Sequence, residues 1–436
     1  MSGQACTHAQ VRRGRPCRRP RPGPPGRRAW PGALALAAVL LAAPGARAQR
    51  TLVLAEPHGT AVALTVDLNA GGIWDPTPQA GVSRLAAEAL LEGARPALTR
   101  LGASAHVDCG QFGLRFTMLA PPSTWRAAAE LLLDAVFHPR VEEGAFESAR
   151  MRLLRSLSFQ AGDPAAEIRT AAFEAFFGAG HRWARGPCGQ EETIRAVTVE
   201  DARTAAALRF TPARATAALT GAFVRQDAAD LLERSFAGER LPLLLPLPEP
   251  PPLPGSREIE SPAITTWLAV VFPLPREPDD EATRFLAARM LQALRPSPER
   301  PEVVDAAVEV ERFGGGGALV TFVAAEPRRA RVWAERVRAL VDSAAAEPLD
   351  APAFRLALRR YRGARLLALE TPEARALDAA DRLYFDHAFQ PPDARIAGLT
   401  AERLRSAASA LGPPAIAILG PAPAGSASLE RNLRQH

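Results

Sequence analysis

The sequence predicts an α+β protein built from two tandem homologous domains, each with helices packed on one face of a sheet. Three observations carry that expectation. Runs of strand-like and helix-like segments follow one another in the same order twice. Matching stretches recur about 200 residues apart, too long a period for a solenoid. A proline-dense segment, Leu241–Gly255 (LPLLLPLPEPPPLPG), divides the two copies and is unable to be helical, so it reads as a stiff connector.

In the first copy, strands are expected at Thr51–Ala55 and Thr60–Asn69, then a helix at Val82–Glu92 with Leu85, Ala89 and Leu90 on its apolar side. Strands Ala103–Cys109 and Gln111–Leu119 follow, then helices near 123–137, 142–160, 165–178 and 199–208 and a strand at Arg214–Thr220. The second copy has a strand at Ala263–Phe272, a helix at Glu281–Leu294 and strands at Val303–Glu311 and Ala318–Ala324. Helices near 328–346, 351–368, 372–388 and 400–410 precede a last strand at Ala415–Leu419. Segment by segment, PPSTWRAAAELLLDAV (121–136) parallels EPRRARVWAERVRALV (326–341), and GDPAAEIRTAAFEAFFG (162–178) parallels ETPEARALDAADRLYFD (370–386). TVEDARTAAALRF (198–210) parallels TAERLRSAASALG (400–412). Such alternation of strand and helix runs is the pattern of α+β domains.

The 436 residues, 47% of them hydrophobic and 23% charged, are ample for a core without a disulfide framework. No lysine occurs, so all 53 basic residues are arginine. A lysine-bearing phosphate loop, a Schiff-base lysine and a kinase-type lysine are therefore excluded. The net charge of +6 does not indicate nucleic acid, because residues 1–48 hold nine arginines and no Asp or Glu. The remainder carries 44 basic against 47 acidic residues.

That basic start precedes eleven small or apolar residues, Ala33–Ala43, and the A-x-A pattern Ala46-Arg47-Ala48. It reads as a signal peptide over residues 1–48, cleaved before Gln49, with export to the periplasm or extracellular space; the apolar run is too short to span a bilayer. Residues 49–240 then form the first domain, 241–255 the linker, 256–425 the second domain and 426–436 a tail. Export permits disulfides, and two cysteines, Cys109 and Cys188, remain after the leader.

The chain resembles the pitrilysin/insulinase-type zinc metallopeptidases and their mitochondrial-processing-peptidase relatives over nearly all of residues 50–425. The specific stretches are NAGGIWDPTPQAGVSRLAAEALLEG (69–93), LGASAHVDCGQFGLRFTML (101–119) and the segment from Ala161 to Ala202. The resemblance implies mostly antiparallel sheets and one half of a peptide-enclosing clamshell. In that family an inverted motif, H-x-x-E-H, supplies two zinc ligands and a general base, and a distant helical Glu completes the ligand set.

Aligned without gaps, Arg84 and Glu88 stand at the histidine positions and Ala87 at the base. Ser156, beside Arg155, stands at the distant Glu. Arginine stays protonated and binds no zinc. No metal, no cofactor and no catalytic residue are therefore expected in this chain. Arg84 and Glu88, four apart on a helix, either pair locally or remain solvated. By resemblance, zinc belongs to an active partner subunit of the same family, and the strand around His106 would bind extended peptides through its backbone. The turn around Cys188 would approach Cys109 and permit a disulfide; the alternative is two free thiols. The Arg/Tyr pair of the family's non-catalytic companions has no counterpart, since Val303–Phe313 lacks Tyr and the two tyrosines, Tyr361 and Tyr384, fall on helices.

His106, Asp108 and Cys109 form the one other constellation with nucleophile character. Strand alternation pairs His106 with Asp108 and turns Cys109 away, so an edge strand is expected rather than a dyad. Gly314–Gly317 reads as a hairpin turn, since no helix follows it. Two other functions stay open at this stage: a stand-alone periplasmic peptide-binding or scaffold protein, and a hydrolase with a relocated metal site.

Overall fold

The computed structural model describes residues 50–56, 58–110, 112–186, 189–238, 255–261, 264–313 and 316–421. The expected signal peptide, most of the proline-rich linker, Cys188 and the 426–436 tail lie outside the described residues.

Each copy contributes a five-stranded sheet, and the two sheets share one topology. The first runs β1(Thr51–Ala55)–β5(Ala215–Gly221)–β2(Val62–Leu68)–β4(Leu114–Ala120)–β3(Ser104–Cys109). The second runs β6(Ser256–Glu260)–β10(Ala415–Gly420)–β7(Thr266–Leu274)–β9(Gly316–Ala325)–β8(Val303–Phe313). In each sheet one pair is parallel, β1 with β5 and β6 with β10, and the other pairs are antiparallel. Phe313 faces Gly316 and Arg312 faces Gly317 across β8 and β9, so the last two glycines of the run belong to the β9 ladder, while Gly314 and Gly315 lie outside the described residues. Gly316 takes φ +149°, where a side chain would be strained.

The helices of the first copy are α1(Val82–Arg100), α2(Trp125–Phe137), α3(Glu143–Gln160), α4(Pro164–Phe177), α5(Glu191–Ala196), α6(Val199–Arg209) and α7(Arg225–Ser235). Those of the second are α8(Asp280–Leu294), α9(Ala330–Ala346), α10(Ala351–Ala368), α11(Pro372–Phe385), α12(Pro392–Ala397) and α13(Ala401–Ser409). Several bounds differ from the sequence expectation by two or three residues, such as β4, β8 and α11, and two differences are larger or cross a proline. α1 runs on through Gly93 and Pro96 to Arg100, and β7 begins at Thr266 and carries Pro273 inside its ladder.

One face of each sheet packs on helices of its own copy. Leu64, Val66, Phe116 and Met118 meet Leu85, Leu132 and Phe146 in the first core, while Leu268, Val270 and Leu319 meet Phe285, Trp333 and Val337 in the second. The other face is covered by the opposite copy. α4, from the first half, lays Ile168, Ala171, Ala172 and Phe176 against Ala269, Val271, Ala417 and Leu419 of the second sheet. α11, from the second half, lays Ala379 and Ala380 against Ala218 of the first sheet. This reciprocal covering explains why β2, β5 and β9 are buried at every position instead of alternating. Small residues at these contacts let helix and sheet approach closely.

Candidate functional site

The helix that the sequence singles out is rigidly entered. Asp75, buried ahead of α1, accepts hydrogen bonds from the backbone N–H of Gly81 at 2.9 Å and from the Ser83 hydroxyl at 2.6 Å. Arg209 on α6 donates to the same carboxylate at 2.5 Å and to the carbonyl of Trp74 at 2.8 Å. A carboxylate at this position also suits the positive end of the helix dipole. Burial raises the Asp75 pKa, with Ser83 and Arg209 opposing it only in part.

One turn on, Arg84 Nε lies 3.7 Å from Glu88 Oε1, the local pair that their spacing allows. Both side chains are partly exposed, whereas Ala87 between them is fully buried in the first core. α3 packs along α1, tied to it by an ion pair between Arg152 and Glu92, and places Ser156 in a half-buried position. These residues do not fit a zinc ion. A guanidinium has no lone pair to give, alanine has no donor, and the carboxylate of Glu88 already faces a cation. Among the described residues no group of three His, Cys, Asp or Glu side chains is placed to hold a metal.

His106, Asp108 and Cys109 sit on β3, the edge strand of the first sheet. His106 Nε2 stands 3.6 Å from Asp108 and 3.8 Å from Glu373 at the start of α11, as side-chain alternation predicts. Cys109 Sγ lies 3.9 Å from the carbonyl of Gly110. Tyr361 and Tyr384 are on α10 and α11 as expected, and β8 supplies no tyrosine.

Between the halves lies a cavity of about 330 Å³, where the end of β3 meets the end of β8. Phe112 and Phe313 close one side with ring centroids 5.6 Å apart, and Tyr384 reaches across to within 3.4 Å of Asn69 and the carbonyl of Phe112. The polar wall is a chain of charges that the sequence reading missed. Arg115 on β4 donates to Asp67 on β2 at 2.6 and 3.1 Å and bridges to Asp381 on α11. Arg284 on α8 continues the chain to Asp280 at 2.8 Å, and Asp280 also meets Arg312 at 3.2 Å and Arg382. Burial disfavours the charge of Asp280, but Arg284, Arg382 and Arg312 outweigh it and hold the carboxyl well below the usual range. Deeper still, Arg395 joins Glu281 at 3.1 Å and Asp378 at 2.8 Å, and Asp378 also accepts from Arg365 at 2.7 Å. The signal in the sequence was a lone carboxylate, Asp67, inside an otherwise apolar strand.

No protein-family model and no curated protein matches the sequence. Solved structures do match. The inactive domain of an M16 peptidase from Pseudomonas fluorescens superposes with a TM-score of 0.74 at 16% identity, covering 87% of this chain and 97% of that one. The fold is that of the M16 peptidases. An M16-like peptidase from Alicyclobacillus acidocaldarius (TM-score 0.70, 15% identity) covers 86% of this chain and 97% of its own. A protease from Helicobacter pylori (TM-score 0.70, 13% identity) covers 86% of this chain and 98% of its own. The M16, or pitrilysin-type, fold thus extends over almost all described residues. Among the described residues no helix is long and apolar enough to cross a membrane.

Proposed function

We propose that this chain is a non-catalytic M16-fold protein that pairs with a zinc-bearing partner of the same fold and, with it, encloses extended peptides. What supports the reading is that the fold is of the M16 type while, in the ungapped alignment, Arg84, Ala87, Glu88 and Ser156 stand where the family's two His and two Glu would be, a set that lacks the ligands and base of the motif. That the structural neighbour from Pseudomonas fluorescens is itself an inactive domain of an M16 peptidase supports it. In this reading export places the pair outside the cytoplasm, zinc resides in the partner, and the oxidising compartment permits a disulfide between Cys109 and Cys188, with two free thiols as the alternative.

The outer edge of β3, which has no neighbour among the described strands, supports a role in binding. Its backbone groups are available to an extended peptide irrespective of the peptide's side chains. Mixing the purified chain with an H-x-x-E-H-bearing half-length chain from the same genome tests the proposal. The expected result is a defined complex by light scattering, with chelator-sensitive peptidase activity exceeding that of either component alone. If the chain stays separate and leaves its neighbour's activity unchanged, the pairing is wrong. Binding of extended peptides by the isolated chain would then favour a stand-alone peptide-binding or scaffold protein.

A further inference from the structure

The duplicated fold gives the cleft between α1 and α3 a counterpart between α8 and α10, and the two differ in both packing and charge. The first is closed by helix contact along its length and by the pairing of Arg152 with Glu92. In the second, the helices touch less extensively. Phe285 meets Phe354 and Tyr361 with ring centroids 5.9 and 5.0 Å apart. Beside this contact lies a groove of about 570 Å³ with Phe285, Leu291, Ala357 and Tyr361 in its mainly apolar lining.

The remaining wall is basic. Arg289, Arg295 and Arg360 line the groove, and among the described residues none of them forms an ion pair with a carboxylate. Burial alone depresses the pKa of Arg289, so this guanidinium is desolvated without a compensating anion. α10 contains no Asp or Glu from 351 to 368, so no carboxylate of that helix opposes these arginines. Tyr361 gives no opposing charge, because its hydroxyl is neutral and donates inward to Glu281 at 2.5 Å. An apolar trough with only cations around it is complementary to a ligand that combines carboxylates with apolar side chains.

We propose that the groove between α8 and α10 docks an acidic, apolar segment of another polypeptide. Its carboxylates meet Arg289, Arg295 and Arg360, and its apolar side chains fill the trough over Leu291, Ala357 and Ala364. Concavity favours a polypeptide over a bilayer, since a membrane surface engages protruding side chains more readily than the space between two helices. This surface is separate from the cavity between the halves, and its assignment does not depend on the pairing or the catalytic state of the protein.

The test is fluorescence anisotropy of the full chain with a labelled helical peptide of repeating Glu-Glu-Leu-Leu. A Lys-Lys-Leu-Leu peptide and phosphatidylcholine vesicles containing phosphatidylglycerol serve as comparisons. The acidic peptide is expected to bind and to weaken with added salt, and the basic peptide to show no binding. Arg289→Glu combined with Arg360→Glu should reduce affinity by about tenfold or more, while Arg126→Glu on α2 should leave it unchanged. Circular dichroism melting of both variants checks that the fold survives. The proposal is overturned by absence of acidic-peptide binding, by equal loss in the Arg126 variant, or by vesicle binding without peptide binding. Should the double variant fail to fold, Arg360→Gln at the exposed rim replaces it, with weaker peptide binding expected and unchanged binding counting against the proposal.

Discussion

Asp378 accepts from Arg395 and Arg365 on the buried side of α11, and its carboxyl stands below its ordinary pKa of 3.8. Burial opposes ionisation there, but Arg395, Arg365 and Arg382 together prevail. A carboxyl whose folded pKa is depressed contributes stability that is present above the unfolded value and is lost as the pH falls toward the folded one. Asp378→Asn should therefore lower unfolding free energy by about 3 kcal/mol near neutrality, because it leaves buried guanidinium charge uncompensated. In urea titrations at several pH values, the gap to wild type is expected to narrow below about pH 4. A gap independent of pH would show that the substitution acts through packing. Ala87 makes a second residue-level case: it is fully buried in the first core, so Ala87→Glu alone should cost about 2–4 kcal/mol by burying an unpaired carboxyl. Urea midpoints of the variant and wild type measure this directly.

At the scale of elements, the two exchanged helices are the critical joints. Ala379 and Ala380 are fully buried against the first sheet, with no room for branching. Ala379→Leu should overpack that contact and cost about 1–3 kcal/mol, read from the denaturant midpoint. Both exchanged helices were readable as helices, but nothing in GDPAAEIRTAAFEAFFG tells which sheet its apolar side covers. Long-range packing decides that, and it also buries β2 and β5 on both faces. β6 went unseen because SREIE is a short charged edge strand whose partner lies some 160 residues away at β10. The short α5 and α12 offer too few turns for a periodic pattern. Conversely, α1 was read too short at Gly93 because glycine and proline carry a helix penalty that packing overrode. Of the site, the local pairing of Arg84 with Glu88 was open to the sequence as an i, i+4 spacing, whereas the Arg115–Asp67–Asp381 bridge required strands and helices from both halves to be brought together.

For the whole molecule, residues from both halves behave as parts of one compact unit. Each sheet depends on a helix encoded in the other half, and ion pairs such as Arg169 with Glu309 and Glu311, and Arg257 with Glu174 at 2.8 Å, fasten the exchange. Scanning calorimetry of the full chain should thus show one cooperative transition with matching calorimetric and van't Hoff enthalpies, not two. The second half expressed alone from Gly255 should fail to give native-like dispersion in NMR spectra, since Ala269, Val271 and Leu419 would lose their cover. The mutual clasp of α4 and α11 also constrains how anything as large as a peptide gains admission. Prising the sheets apart would strip both helices from their seats simultaneously, so in the pairing proposed above the route inward would run along the molecule's outer boundary, where the second polypeptide would supply the moving wall.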